Sequence, residues 1–169
     1  MMALRLRPYR LDDEASAVAI HNSMLAEEFH FLLYWNPSLS WPEFLAHLEL
    51  ERRGVNLPSD QVRAVQLAAV VDGELVGRAS IRFELNDFLL REGGHIGYGV
   101  APAFRRRGYA SEILAQALVI IRADGVDRVL VTCDDNNVAS MKAIEGNGGV
   151  LEEIVTLKDG RNVRRYWIS

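Results

Sequence analysis

A short basic turn in the middle of the chain has the residue types that hold a phosphate. Arg105, Arg106 and Arg107 stand directly before Gly108, and an apolar segment with helical spacing follows that glycine. The first amides of a helix lack acceptors within the helix and lie at the positive end of its dipole. Arginine adds charge and paired hydrogen-bond donors. The pattern therefore predicts an anion site formed by the turn and the start of the helix.

Other phosphate-binding motifs are excluded at this turn. No Gly-Lys-Ser/Thr follows the glycine, as a P-loop would require, and the spacing Gly-x-Gly-x-x-Gly of dinucleotide-binding proteins is missing. The net charge of −4 argues against broad binding to nucleic acid, so we expect no nucleic-acid partner. The competing interpretation is a solvated basic turn ahead of a helix.

The periodicity of apolar residues indicates which elements position this turn. It predicts seven strands, over residues 4–8, 64–71, 74–84, 95–100, 128–133, 150–157 and 163–168. It predicts four helices, over about 12–27, 40–54, 108–123 and 137–145. The order β-α-α-β-β-β-α-β-α-β-β favours an α/β (α+β) fold. We expect a single domain, residues 1–169, with a mixed, mostly antiparallel sheet of six to seven strands and about four helices on both faces.

Composition limits the class of protein. Of the 169 residues, 49% are hydrophobic, yet no apolar run reaches the ~18 residues of a membrane span. The first residues lack the long apolar core of a signal peptide. Cys133 is the single cysteine, so a disulfide framework is excluded, and a cytoplasmic protein without membrane partners is expected. We interpret Cys133 as a small core residue. His21, His30 and His47 show no metal-ligand spacing with it, so no metal is expected.

This element order, together with two motifs, resembles the GNAT superfamily of N-acetyltransferases. Arg105, Gly108 and Ala110 fill the family's pyrophosphate-binding signature, Gln/Arg-x-x-Gly-x-Gly/Ala. Downstream, residues 137–140 (Asn-Val-Ala-Ser) and 145–148 (Glu-Gly-Asn-Gly) match the family's Asn-x-x-Ser/Ala and Glu-x-x-Gly. The resemblance covers essentially the whole chain, and the second motif favours the anion site over a solvated turn. Residues 85–86 and 93–98 also look like a subgroup of bacterial predicted acetyltransferases of unassigned substrate.

The resemblance implies acetyl-CoA as the cosubstrate. Amides from about Arg106 to Ser111 would wrap the pyrophosphate, and the pantetheine arm would lie between the fourth and fifth strands, which splay apart in the family. Asn137 would bond the arm or simply cap its helix, and the Val100 amide would face the thioester oxygen. The cofactor-binding residues implied in this way are Tyr98, Gly99, Val100, Arg105, Arg106, Arg107, Gly108, Tyr109, Ala110, Ser111, Asn137 and Ser140.

The resemblance leaves the proton chemistry open. Many family members protonate the departing thiolate with a tyrosine, and Ile144 occupies that position here. Relatives often carry a glutamate base where this chain has His95, an imidazole that can accept a proton. The competing interpretation of His95 is a strand cap. Glu84 is the rival base, unless it is a solvated charge at a strand end, and Tyr98 is either an acid or part of the wall.

The function implied is an acetyl-CoA-dependent N-acetyltransferase that moves an acetyl group to a primary amine by direct attack in a ternary complex. The alternative is a non-catalytic acyl-CoA-binding or sensing module, which the missing tyrosine at Ile144 keeps open. A monomer or homodimer is expected. An aromatic cluster falls where relatives build the acceptor wall: Phe29, Phe31, Tyr34, Trp35 and Trp41.

Overall fold

The computed structural model describes residues 3–169 and has the predicted order of elements. The strands are β1 (Arg5–Pro8), β2 (Ala64–Val71), β3 (Glu74–Arg82), β4 (Ile96–Val100), β5 (Val129–Asp134), β6 (Val150–Thr156) and β7 (Asn162–Ile168). The helices are α1 (Glu14–Met24), α2 (Trp41–Arg53), α3 (Tyr109–Ala123) and α4 (Val138–Gly146). The predicted α/β fold class is confirmed. The boundaries differ slightly: β3 ends at Arg82, before Glu84, and β4 begins after His95.

The strands form two antiparallel sheets instead of one continuous sheet. The first has the order β1-β2-β3-β4 and the second the order β5-β7-β6. β4 and β5 are thus edge strands that face each other. The amide of His95 donates to Leu130 O at 2.8 Å and joins the two strands where each begins. No ladder continues from there within residues 3–169, so the strands separate toward their carboxyl ends.

Local sequence signals explain two of the boundaries near the sheet. Ser40 and Glu43 form the expected capping box at the start of α2, with Glu43 N donating to Ser40 Oγ at 3.3 Å and Ser40 N donating to Glu43 Oε2 at 2.9 Å. Asp72 and Gly73 both have positive φ, 51° and 78°, as a tight two-residue hairpin between β2 and β3 requires.

The two faces of the first sheet have different packing partners. α3 lies on one face, where Ile81 and Ile96 of the sheet meet Leu114 and Ile121 of the helix in a dry core. α1 and α2 lie on the other face, over a core that includes Trp41. No helix within residues 3–169 is long and apolar enough to cross a membrane.

Candidate functional site

The turn before α3 exposes a row of backbone amides. Gly108 is the N-cap and has φ 80° and ψ 7°, a left-handed conformation that glycine adopts without strain. Arg106, with φ 65°, is also left-handed. A methyl group on Gly108 would meet no heavy atom within 4 Å, so the space above the turn is open. The helix's internal bonds begin only with Glu112 N to Gly108 O, which leaves the amides of the first turn free for an anion.

The three arginines of the turn are not equivalent. Arg105 forms a paired contact with Glu27, at 2.6 and 2.8 Å, and its Nε donates to Val100 O at 3.3 Å. Arg106 and Arg107 are exposed, and neither makes an ion pair with a described residue. Two of the three cations are therefore free to meet a phosphate, while Arg105 is occupied by a carboxylate.

The edge of β4 presents amides to the gap between β4 and β5. Bonds from Arg82 N to His95 O and from Ala101 N to Val76 O fix which residues of β4 face β3. Because an antiparallel ladder alternates, the amides of Tyr98 and Val100 point the other way, into the gap. The Gly99 amide points to β3. Two of the three residues predicted at this edge therefore carry amides that an extended ligand can bind.

Tyr98 also spans the gap with its side chain. Its hydroxyl lies 2.5 Å from Ser140 Oγ on α4. Ser140 N donates to Asn137 Oδ1 at 3.1 Å, so Asn137 caps α4. Burial raises the pKa of Tyr98 to about 12, and burial raises the pKa of Cys133 on β5 to about 11. Tyr98 is therefore a neutral hydrogen-bond donor at pH 7, and Cys133 is a buried thiol in the core, as predicted.

The His95 side chain forms a structural hydrogen bond and does not fit the predicted role of a base. Its Nδ1 accepts from Leu130 N at 2.9 Å, which places the proton of the neutral ring on Nε2. Burial, and secondarily the charge of Arg82, lower the pKa of His95 to about 4. No lone pair is left to take a proton unless the bond to Leu130 breaks. The competing interpretation as a strand cap describes the geometry better, because His95 holds the starts of β4 and β5 together.

Glu84 and Ile144 are also placed away from proton chemistry at the gap. Gly77 is opposite Val100 in the ladder of β3 and β4. Since these strands are antiparallel, Glu84 lies beyond the start of β4, the end farthest from Val100. It is exposed. Ile144 is fully buried in the core around α3 and α4, so the position of the family's tyrosine is apolar here.

Part of the predicted aromatic wall is core. Phe31 and Trp41 are each 1% exposed and pack with α1 and α2. Phe29 is different, because it lies directly against Gly99 of β4. Within residues 3–169, no group of three or more His, Cys, Asp or Glu side chains could hold a metal ion.

Sequence reasoning missed a polar strip on the face of the sheet that α1 and α2 cover. Arg78, Ser80 and Arg82 alternate along β3, and all three side chains point to this face. Glu51 of α2 is 1% exposed and accepts from Gln66 Nε2 of β2 at 3.0 Å. Together these residues make a buried polar layer where a core is expected.

A signal for this strip is present in the sequence. In α2 the apolar residues Trp41, Phe44 and Leu48 follow helical spacing, and Glu51 occupies the next position of the same face. In β3 the alternation of arginine and serine with apolar residues resembles a solvated strand face. Only the helices that cover this face in the structure show that these side chains are buried.

The chain is similar to one known protein family and to several solved structures. A family model described as "Acetyltransferase (GNAT) domain" matches residues 3–150. RimJ of Mycobacterium smegmatis, solved in complex with CoA-disulfide, has 23% identity and a TM-score of 0.73, over 98% of this chain and 81% of that one. The yncA protein of Salmonella typhimurium, solved with its cofactor acetyl-CoA, has 16% identity and a TM-score of 0.66, over 99% and 94%.

A further similar structure is an acetyl transferase of Salmonella typhimurium that modifies the N-terminal serine of the 50S ribosomal subunit protein L7/L12. It has 19% identity and a TM-score of 0.67, over 99% of this chain and 95% of that one. At these identities the likeness concerns the fold. No curated protein matches the chain significantly.

Proposed function

The chain belongs to the GNAT acetyltransferase family, and we propose that it is an acetyl-CoA-dependent N-acetyltransferase acting on a primary amine by direct attack in a ternary complex. The observation that carries the proposal is the continuity of one ligand path. The unpaired edge of β4, with the amides of Tyr98 and Val100, leads through the turn to the open N-terminus of α3 at Gly108.

Each part of acetyl-CoA has a chemically suitable partner along this path. The pyrophosphate takes the free amides of the first turn of α3, and the side chains of Arg106 and Arg107 add charge. The pantetheine amides pair with the edge of β4, as a strand added to a sheet would. The thioester then lies near Val100, where the two sheets have separated.

The attack itself requires stabilisation of an oxyanion. The amine nitrogen forms a bond to the thioester carbonyl carbon, and the electrons of the C=O bond move to oxygen. The Val100 amide faces the gap and donates to that oxygen, a contact typically worth about 10²–10³ in rate. The C–S bond then breaks, sulfur leaves with the electron pair, and the amine loses its proton.

Tyr98 assists the departing sulfur as a hydrogen-bond donor instead of as a proton donor. With a pKa of about 12, its hydroxyl stays protonated at pH 7. Transfer of its proton to a thiolate whose conjugate thiol has a pKa near 8.5 would be thermodynamically unfavourable. Ser140 orients the hydroxyl across the gap. The amine's proton leaves through water, because neither His95 nor Glu84 is placed to take it.

A non-catalytic acyl-CoA-binding module is the second candidate. The observation that favours it is Ile144, which is fully buried at the position of the family's tyrosine. Both candidates use the same cofactor path, so binding of acetyl-CoA alone does not separate them.

Release of free CoA thiol in the presence and absence of amines separates the two. The enzyme releases thiol only when an amine is added, and mass spectrometry finds the acetylated amine in equal amount. The profile of kcat/KM against pH should rise through the pKa of the amine and level off. Tight binding of acetyl-CoA without turnover across a broad amine panel would contradict the enzyme and leave the sensing module.

A further inference from the structure

Arg78 is a buried cation without a counter-ion. It is 6% exposed, and its Nε and Nη1 atoms have no hydrogen-bond partner among the described residues. Its Nη2 atom donates to His30 O at 3.3 Å, and its guanidinium stacks on Phe29 at 4.7 Å. Burying a charge without a partner is costly, so a site that keeps one is built for a charge that arrives from outside.

Arg82 brings a second cation to the same place. A methyl group on Gly97 would lie 3.1 Å from Nη1 of Arg82 and 3.4 Å from Nη1 of Arg78. The two guanidinium groups therefore meet above Gly97, on the face of β4 that turns toward α1 and α2. Arg82 Nη1 also donates to Gly93 O at 3.3 Å, which is a neutral partner. Neither arginine bonds a carboxylate of residues 3–169.

Ser80 supplies a third donor between the two arginines. It is fully buried, it stands opposite Gly97 in the ladder, and its Oγ has no partner in the described chain. Three unused polar atoms, Nε and Nη1 of Arg78 and Oγ of Ser80, thus lie in one small region. Fork-shaped guanidinium donors beside a hydroxyl are complementary to an oxyanion.

Glu51, whose charge interacts with Arg82, offsets only part of the positive charge of this region. Glu51 is engaged by Gln66, and burial raises its pKa to about 7, so a large fraction is uncharged at neutral pH. Burial, and then the like charge of Arg82, lower the pKa of Arg78 to about 10, which still leaves Arg78 charged. The net charge above Gly97 is positive.

We propose that Arg78, Arg82 and Ser80 bind an anionic oxygen group of the acceptor, so the amine that is acetylated belongs to a molecule that also carries a carboxylate or a phosphate. The inference rests on the proposed acetyltransferase function. Gly97 is three residues from Val100, about 10 Å along the strand. A small acceptor, or the end of a short peptide, can hold its anion above Gly97 while its amine reaches the thioester.

Matched pairs of amines test this substrate class. The probes must span the distance from Gly97 to Val100, so 6-aminohexanoate is compared with 6-aminohexanamide, triglycine with triglycinamide, and 6-aminohexyl phosphate with 6-aminohexanol, each by thiol release. At least one pair should show a preference of tenfold or more in kcat/KM for the anionic member. The preferred pair distinguishes a carboxylate from a phosphate.

Arginine variants test whether the preference for anionic acceptors arises at this site. In Arg82→Met the preference should fall to about twofold, through a higher KM for the anionic acceptor, while the KM for acetyl-CoA stays unchanged. Comparing ratios between variant and wild type cancels differences in amine basicity. Arg53→Met removes the same charge from an exposed position of α2 and should keep the wild-type preference. Ser80→Ala, a change of one oxygen atom, should weaken the preference several-fold and serves if Arg82→Met does not fold.

Two results would overturn the inference in different ways. Thiol release with amines of both kinds but without any preference for an anion removes this site and leaves the proposed function standing. If no amine reacts, the proposed function fails, and the site is then judged by calorimetry on the CoA-loaded protein. N-acetyl-6-aminohexanoate or N-acetyl-6-aminohexyl phosphate should bind to wild type and at least tenfold more weakly to Arg82→Met. Equal or absent binding in both proteins would overturn the site.

Discussion

Two arginine clusters in this protein are built in contrasting ways. Arg106 and Arg107 are exposed in a turn, next to free backbone amides, and their charges stay hydrated in the folded protein. Arg78 is buried under the segment around Phe29 and His30, Arg82 is half-buried, and no carboxylate hydrogen-bonds to either. The first cluster can bind an anion without weakening the fold. The second cluster forms a stronger interaction with an anion for each contact, because the protein interior screens charges less than water does. When no anion is bound, its unpaired charges reduce the stability of the fold.

The largest effect should be a loss of acetyl-CoA affinity when a side chain is placed at Gly108, in the turn that contains Arg106 and Arg107. Gly108→Asp adds a negative charge at the proposed pyrophosphate site and forces a side chain into a left-handed conformation. We expect acetyl-CoA affinity, measured by calorimetry, to fall at least about 100-fold, since a repelled phosphate loses several charge-assisted bonds.

Gly125→Asp is the matched control at the other end of α3. Gly125 also has positive φ, 96°, and open space around its Cα. It should reproduce the cost in stability without the loss of affinity. Equal losses in both variants would mean that Gly108 acts only through folding, and the exposed cluster would no longer be a ligand site.

The two clusters also differ in how far the sequence predicts them. Arg105 to Gly108 are contiguous, and the chemistry of a helix N-terminus is local, so the turn is recognisable without a structure. The order of strands and helices along the chain could be predicted for the same reason, since Asp72 with Gly73 and Ser40 with Glu43 act on their own neighbours. These features need no long-range contact.

The acceptor side depends on contacts between residues far apart in the sequence. Arg78 is buried by Phe29 and by the segment around His30, 48 residues earlier. His95 resembles a base in the sequence because its bond to Leu130, 35 residues later, cannot be inferred from spacing. Whether a polar residue such as Arg78 or His95 is structural or functional depends on its burial and its hydrogen-bond partners. Both depend on contacts that form only in the folded chain.

The stability cost of the buried cluster gives the second prediction. Arg78→Met roughly keeps the length of the side chain and removes an unpaired buried charge. The free energy of unfolding, measured in urea, should therefore increase by at least about 1 kcal/mol. The KM for an anionic acceptor should rise in the same variant. Arg53→Met should change neither quantity. Destabilisation by Arg78→Met would show that its contacts to His30 and Phe29 are structural, and the contrast between the clusters would disappear.

Glu51 gives an effect on stability with a defined dependence on pH. Its folded pKa of about 7 lies above the ordinary value of 4.5, so the folded state holds the proton more tightly. Stability contributed by the protonated form is complete below pH 4.5 and is lost as pH rises through 7. Each pKa unit corresponds to about 1.4 kcal/mol. Glu51→Gln should therefore match wild type near pH 4 and exceed it at pH 8 by about 3 kcal/mol.

Glu84→Gln is the control for that measurement, because it makes the same substitution at an exposed glutamate outside the polar strip. If Glu51→Gln is no more stable than wild type at pH 8, folding does not raise the pKa of Glu51, and its carboxylate is paired in the folded protein. The arginines above Gly97 would then have a counter-ion within the chain, and the positive charge assigned to the second cluster would be lower.

The smallest effect concerns Arg105, which belongs to the exposed cluster by sequence but is paired in the structure. Glu27 holds its guanidinium, and both side chains are more than 40% exposed. Glu27→Gln weakens that pair and frees Arg105 for the phosphate, so acetyl-CoA affinity should increase about two- to threefold, in the range of an exposed ion pair. Glu28→Gln removes the same charge from the neighbouring exposed residue and accounts for long-range electrostatics. Equal affinities in the two variants would show that Arg105 stays bound to Val100 O and acts as a tie between β4 and the turn, so that only Arg106 and Arg107 serve the cofactor.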